Sequence, residues 1–128
     1  MHGIEISQDA IQLLKQTYPE MASLIKIYNT PVEEIIRIFT EGQFDVTFTM
    51  AVLEHIHTNS EWIFSEIVRT TNNYLITIED ECCLSWRHFP RNHKKVFEPL
   101  GMKQIEVINC GDTTGLSSDF FARVFKKL

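Results

Sequence analysis

The chain has 128 residues, 44% of them hydrophobic and 23% charged, which fits one globular domain with a core that needs no disulfide staples. A formal net charge of -5 argues against the basic footprint of a nucleic-acid-binding domain, and no apolar run is long enough to span a membrane. Three cysteines, with Cys82 and Cys83 adjacent, make no disulfide framework, and no secretory leader is visible, so a reducing cytoplasmic home is expected.

In chain order, His2 to Ser7 predicts a short strand with Ile4 and Ile6 on its apolar face. Ser7 then caps a helix that places Ala10, Ile11, Leu14 and Tyr18 on one side. Pro19 ends that helix or starts a new turn. A second strand is predicted over Leu24 to Asn29, followed by "TPVEEIIRIF", in which Thr30 and Glu33 suggest a capping box and Pro31 the first helical position. Gly42 closes this helix.

The stretch "FDVTFTM", Phe44 to Met50, reads as a third, buried strand, with Phe44, Val46 and Phe48 alternating against Asp45, Thr47 and Thr49. "AVLEHIHT" opens a loop after it, and Thr58 with Glu61 suggests a further capping box before an apolar helix. A fourth strand is predicted over Tyr74 to Glu79, then a polar loop with Cys82, Cys83 and Trp86. A short helix stops at Gly101. Lys103 to Asn109 and Phe120 to Lys126 predict two last strands joined as an antiparallel hairpin. The alternation implies a single α/β domain over residues 1–128 with a largely parallel sheet.

The run "FDVTFTMAVLEHI" resembles the strand-and-loop motif of class I S-adenosylmethionine-dependent methyltransferases. "GIEISQDAIQLLKQ" is similar to an earlier strand and helix of that family, and "FEPLGMKQIEV" with "FFARVFKK" to its final helix and strands. The resemblance covers essentially the whole chain and implies a Rossmann-like methyltransferase sheet with S-adenosylmethionine as cofactor. Relative to the family pattern the chain is N-terminally truncated. A first strand and a glycine-rich loop of the form D-x-G-x-G-x-G are missing, and none of the five glycines cluster. The missing unit would be on the order of 30 residues.

By that resemblance Glu5 matches the acidic residue that accepts hydrogen bonds from the cofactor ribose. Thr30 falls where many members contact the adenine, and capping alone also explains it. Thr49, Met50 and Ala51 line the strand end that opens onto the cofactor. Glu54 and His55 could form a general base and its orienting partner, but in the family this pair positions the loop. His57 is nearer the expected acceptor side. Cys82, Cys83, His88 and His93 lack the spacing of a structural zinc site, so no metal is expected. The locally basic "RHFPRNHKK" reads as a solvated helix face.

Two function classes follow. One is a methyltransferase acting on a small molecule or another unidentified acceptor. The other is a non-catalytic interaction protein of that fold. In the second, loss of a central strand leaves "HGIEIS" and "FDVTFT" to pair directly, to form a homodimer, or to meet a chain that supplies the missing unit.

Overall fold

The computed structural model describes residues 1–128 and divides into two compact units, residues 1–39 and 40–128.

In the first unit, β1 (His2–Ile4) pairs in parallel with β2 (Lys26–Tyr28) and with no other strand. Between them lie α1 (Gln8–Thr17) and α2 (Pro19–Ser23). Ser7 caps α1 as the sequence suggests, its side chain accepting from the Ala10 N–H at 3.2 Å, with Asp9 in the first turn. Pro19 starts α2. The capping box at Thr30 does not form. The Thr30 hydroxyl donates to the Glu34 carboxylate at 3.0 Å instead of accepting from the helix. The helix, α3, is a single turn (Val32–Ile35) that continues as a 3₁₀ turn over Ile36–Ile38 and ends before Gly42. Ile11, Ile36 and Phe39 are the buried apolar side chains of this unit.

The second unit is a four-stranded sheet in the order β3-β4-β6-β5. Its elements are β3 (Phe44–Met50), α4 (Trp62–Thr70), β4 (Thr71–Asp80), α5 (His93–Phe97), β5 (Met102–Asn109) and β6 (Phe120–Lys127). β3 runs parallel to β4, while β6 runs antiparallel to both β4 and β5. The hairpin therefore forms as expected, with its second strand inserted beside β4. Gly101, at φ 98°, ends the turn after α5 in the left-handed region that glycine adopts without steric cost. The box at Thr58 is replaced. Thr58–Ser60 is a 3₁₀ turn capped by the His57 ring, which accepts from the Asn59 N–H, and Glu61 makes no side-chain cap to α4.

One sheet face is packed. Leu75 and Phe125, paired across β4 and β6, are fully buried, and Phe97 of α5 lies 5.5 Å from the Phe125 ring and 5.8 Å from that of Phe64 in α4. Ile63, Phe64, Ile67 and Val68 give α4 its buried stripe at helical spacing.

The other face corrects the reading of β3 as a buried strand. Val46, Phe48 and Met50 are exposed at 54%, 66% and 48%, while Thr47 and Thr49 turn toward the packed side. The alternation was legible, but its polarity is inverted: the threonines face the core of this unit and the large apolar groups face out. Tyr74 on β4 and Ile108 on β5 extend the same bare surface. β3 hydrogen-bonds to β4 alone, so its outer edge is open, and β1 likewise keeps one open edge. The direct pairing of these two strands, one of the options expected, is not formed.

Candidate functional site

Parallel strands present ligands at their carboxyl ends, and β3 ends in a loop that is locked from two sides. Ala51 turns the chain with φ 52°, a left-handed conformation rare for a residue with a side chain, and its N–H donates to Ile78 at 2.9 Å. Leu53–His55 then forms a single 3₁₀ turn. Glu79 of β4 closes over the start of that turn, its Oε2 accepting from the N–H groups of Val52 (2.9 Å), Leu53 (3.0 Å) and Glu54 (3.4 Å). Glu54 reaches back, its Oε2 accepting from the Asp80 N–H. Its carbonyl accepts from Phe89, and that of Leu53 from Arg91. Two carboxylates thus exchange places between adjacent strand ends, each satisfying the other segment's unpaired donors.

Burial pushes the Glu79 carboxyl up from the ordinary range. The nearby Thr49 hydroxyl, the His93 ring and the loop N–H groups oppose this without cancelling it. Glu79 Oε1 and Thr49 Oγ1 are buried and neither completes a hydrogen bond of good geometry. One residue further along the chain the balance reverses. Burial alone would raise Glu81, but hydrogen bonds from His93 and Arg123 outweigh it and bring the carboxyl down to about 2. Arg123 grips it with both arms, Nε to Oε1 at 2.8 Å and Nη2 to Oε2 at 2.7 Å, and His93 adds contacts of 3.0 and 3.1 Å.

The residues expected at the site take distinct places. Glu54 is buried and committed to Asp80, which fits loop positioning better than proton abstraction. His55 is exposed. Its Nδ1 meets the Arg87 carbonyl at 3.0 Å and its Nε2 lies 3.5 Å from Glu54 Oε1. His57 is exposed and set edge-on to the Phe89 ring. Met50 and Ala51 are exposed at the strand end, whereas Thr49 turns its side chain inward. In the other unit, the half-buried Glu5 accepts from the Ser7 N–H through Oε1 at 2.7 Å and lines a shallow depression with Gly3, Ile4 and Ile27. Thr30 is half-buried against Glu34.

Cys82, Cys83, His88 and His93, at which no metal was expected, take separate places. The N–H groups of both cysteines bind Asp80 Oδ1, and His93 is buried against Glu81. His88 instead stands with Glu54 and His55. Sequence reasoning missed Glu79, Glu81 and Arg123. The one available signal for the two glutamates was a run of three acidic residues ending an apolar strand, "YLITIEDE", where solvated side chains are the ordinary outcome.

Comparison with known proteins gives three results. A family model described as a methyltransferase domain matches residues 1–73. No curated protein matches the chain in sequence. Among solved structures, an S-adenosylmethionine-dependent methyltransferase from Archaeoglobus fulgidus aligns with TM-score 0.71 at 12% identity, covering 98% of this chain and 75% of that one. The 1,6-didemethyltoxoflavin-N1-methyltransferase of Burkholderia thailandensis, solved with its substrate and S-adenosylhomocysteine, gives 0.64 at 14% identity, covering 98% and 70%. A TehB-like S-adenosylmethionine-dependent methyltransferase from Corynebacterium glutamicum gives 0.68 at 18% identity, covering 99% and 67%.

Proposed function

The chain belongs to the methyltransferase-domain family, and from that premise we propose that residues 1–128 form one domain of an S-adenosylmethionine-dependent methyltransferase acting on an unidentified acceptor. The observation that carries this reading is the end of β3, where a parallel strand runs into an exposed turn at Met50 and Ala51 whose backbone is held by Glu54 and Glu79.

The residues present fit the cofactor in part. Glu5 spends one carboxylate oxygen on Ser7 and keeps lone pairs for the two ribose hydroxyls. Met50 and Ala51 offer exposed backbone and apolar surface at a strand end. Thr49 and Thr30 offer less, since one faces inward and the other is engaged with Glu34. A glycine cradle is not among the residues of this chain. S-adenosylmethionine supplies an electrophilic methyl group, and its transfer to a nucleophile depends mainly on alignment. On this reading Glu54 and Glu79 hold the loop in register, and His55 and His57 are the exposed groups near an acceptor.

The test is ultraviolet cross-linking of radiolabelled S-adenosylmethionine followed by peptide mapping. Label on the peptides that carry Glu5 or Met50–Ala51 supports the assignment. Label confined to other peptides defeats it.

The bare face of β3 favours a second reading beside the first. Exposed Val46, Phe48 and Met50 on an open-edged strand form a template for association. We propose that this surface is covered by a second copy of the chain or by a chain that supplies a further strand. A monodisperse monomer in sedimentation at micromolar concentration would count against it.

A further inference from the structure

We infer that Glu54, His55 and His88 bind one divalent transition-metal ion. One ligand atom from each of the three residues lies within 4.8 Å of the other two. Glu54 Oε1 is 3.5 Å from His55 Nε2 and 3.8 Å from His88 Nε2. Ligands about 2.0–2.1 Å from a tetrahedral zinc ion stand roughly 3.3 Å apart. Closing the triangle therefore asks for side-chain shifts on the order of 1 Å, shared between rings that are 48% and 30% exposed.

What distinguishes this from a chance meeting of polar side chains is the far side of each ligand. Glu54 spends Oε2 on the Asp80 N–H and turns Oε1 to the common point. His55 Nδ1 meets the Arg87 carbonyl at 3.0 Å, and His88 Nδ1 meets the Ser85 hydroxyl at 2.7 Å. Metal-binding imidazoles are oriented by partners of this kind on their second nitrogen.

The His55 contact also fixes a tautomer. A carbonyl only accepts, so the proton of a neutral ring sits on Nδ1, and Nε2 presents its lone pair toward a carboxylate oxygen. Two acceptors facing each other repel unless a proton or a metal cation lies between them. Two imidazoles and one carboxylate suit zinc, manganese, iron or nickel. Side-chain exposure rises from 5% at Glu54 to 30% at His88 and 48% at His55, which leaves the outer coordination positions to water.

This departs from the expectation that no metal is bound. The sequence hid the site because 32 residues separate His55 from His88, whereas local ligand spacing is what a sequence reading searches.

The experiment is calorimetric titration of the full chain with Zn²⁺, paired with Co²⁺ titration followed by visible absorption. The expected result is one equivalent bound, with tetrahedral-type Co²⁺ bands. His88→Ala and His55→Ala should each weaken binding by about 100-fold or more, Ser85→Ala by about 10-fold, and His2→Asn should leave it unchanged. Acidification should weaken it, because a ligating imidazole must be neutral. No saturable binding would overturn the inference, as would binding that survives both histidine substitutions. Should a variant misfold, histidine ring-nitrogen shifts in the wild-type chain decide the same question. The resonances of His55 and His88 must move on adding Zn²⁺, and movement only of other histidines refutes the site.

Discussion

Replacing Glu81 by Gln should remove a defined, acid-sensitive part of the stability. The Glu81 side chain is 5% exposed and ties α5 to β6 through His93 and Arg123. Its carboxyl falls from 4.5 to about 2 on folding. A depressed folded value means that the native state favours the ionised form. The contribution is therefore present above pH 4.5 and disappears as the pH falls toward 2. A shift of that size corresponds to about 3 kcal/mol, at roughly 1.4 kcal/mol per unit. Glu81→Gln keeps the shape and removes the charge, leaving the Arg123 guanidinium buried without its counter-ion, so a loss of about 3 kcal/mol is expected at neutral pH. Urea unfolding followed by the fluorescence of Trp62 and Trp86 measures it. The gap between wild type and variant should be widest at neutrality and close progressively in acid. A gap that stays constant across the titration would refute the reasoning, because the carboxyl would then not be the group that titrates.

Other outcomes follow from the same geometry. Glu79 carries the opposite sign: its raised carboxyl makes the ionised form costly, so its penalty is absent below the unfolded value and grows as pH rises through the folded one. Glu79→Gln should flatten that decline in a stability–pH profile. Ala51→Gly should raise the thermal midpoint, relieving up to about 1 kcal/mol of left-handed strain. Gly101→Ala should lower it by a similar amount, since φ is 98° and nothing lies within 4 Å of an added Cβ, leaving only the backbone cost. Phe48→Asp, on the bare face of β3, should reduce self-association in sedimentation with little loss of fold.

Strand positions were legible but their boundaries only in part: β1 and β2 are shorter than the expected His2–Ser7 and Leu24–Asn29, and β4 is longer than the expected Tyr74–Glu79. Phe44–Met50 is recovered to the residue, and the closing hairpin nearly so. The facing of β3 was not. Alternation gives a period, while which half faces the core depends on what covers the sheet, and here Thr47 stands in register with the buried Leu75 and, beyond it, Phe125 on the packed face. Capping boxes at Thr30 and Thr58 failed for a local reason. Pro31 follows Thr30 as a residue with extended backbone before a helix of one turn, and Thr58 falls inside a 3₁₀ turn capped one residue earlier by the His57 ring, so that α4 starts only at Trp62. The resemblance at "VLEH" located the loop. The residues that hold it, Glu79 above all, lie about 25 positions away along the chain and have no motif of their own.

The central claim is that this chain recognises the cofactor of its family. Calorimetry with S-adenosylhomocysteine on wild type and Glu5→Gln tests it most directly. The account predicts saturable heat in the wild type that weakens about tenfold in the variant, as expected for loss of charged acceptance from the ribose hydroxyls. No heat at roughly millimolar ligand, or equal binding by both proteins, would contradict it.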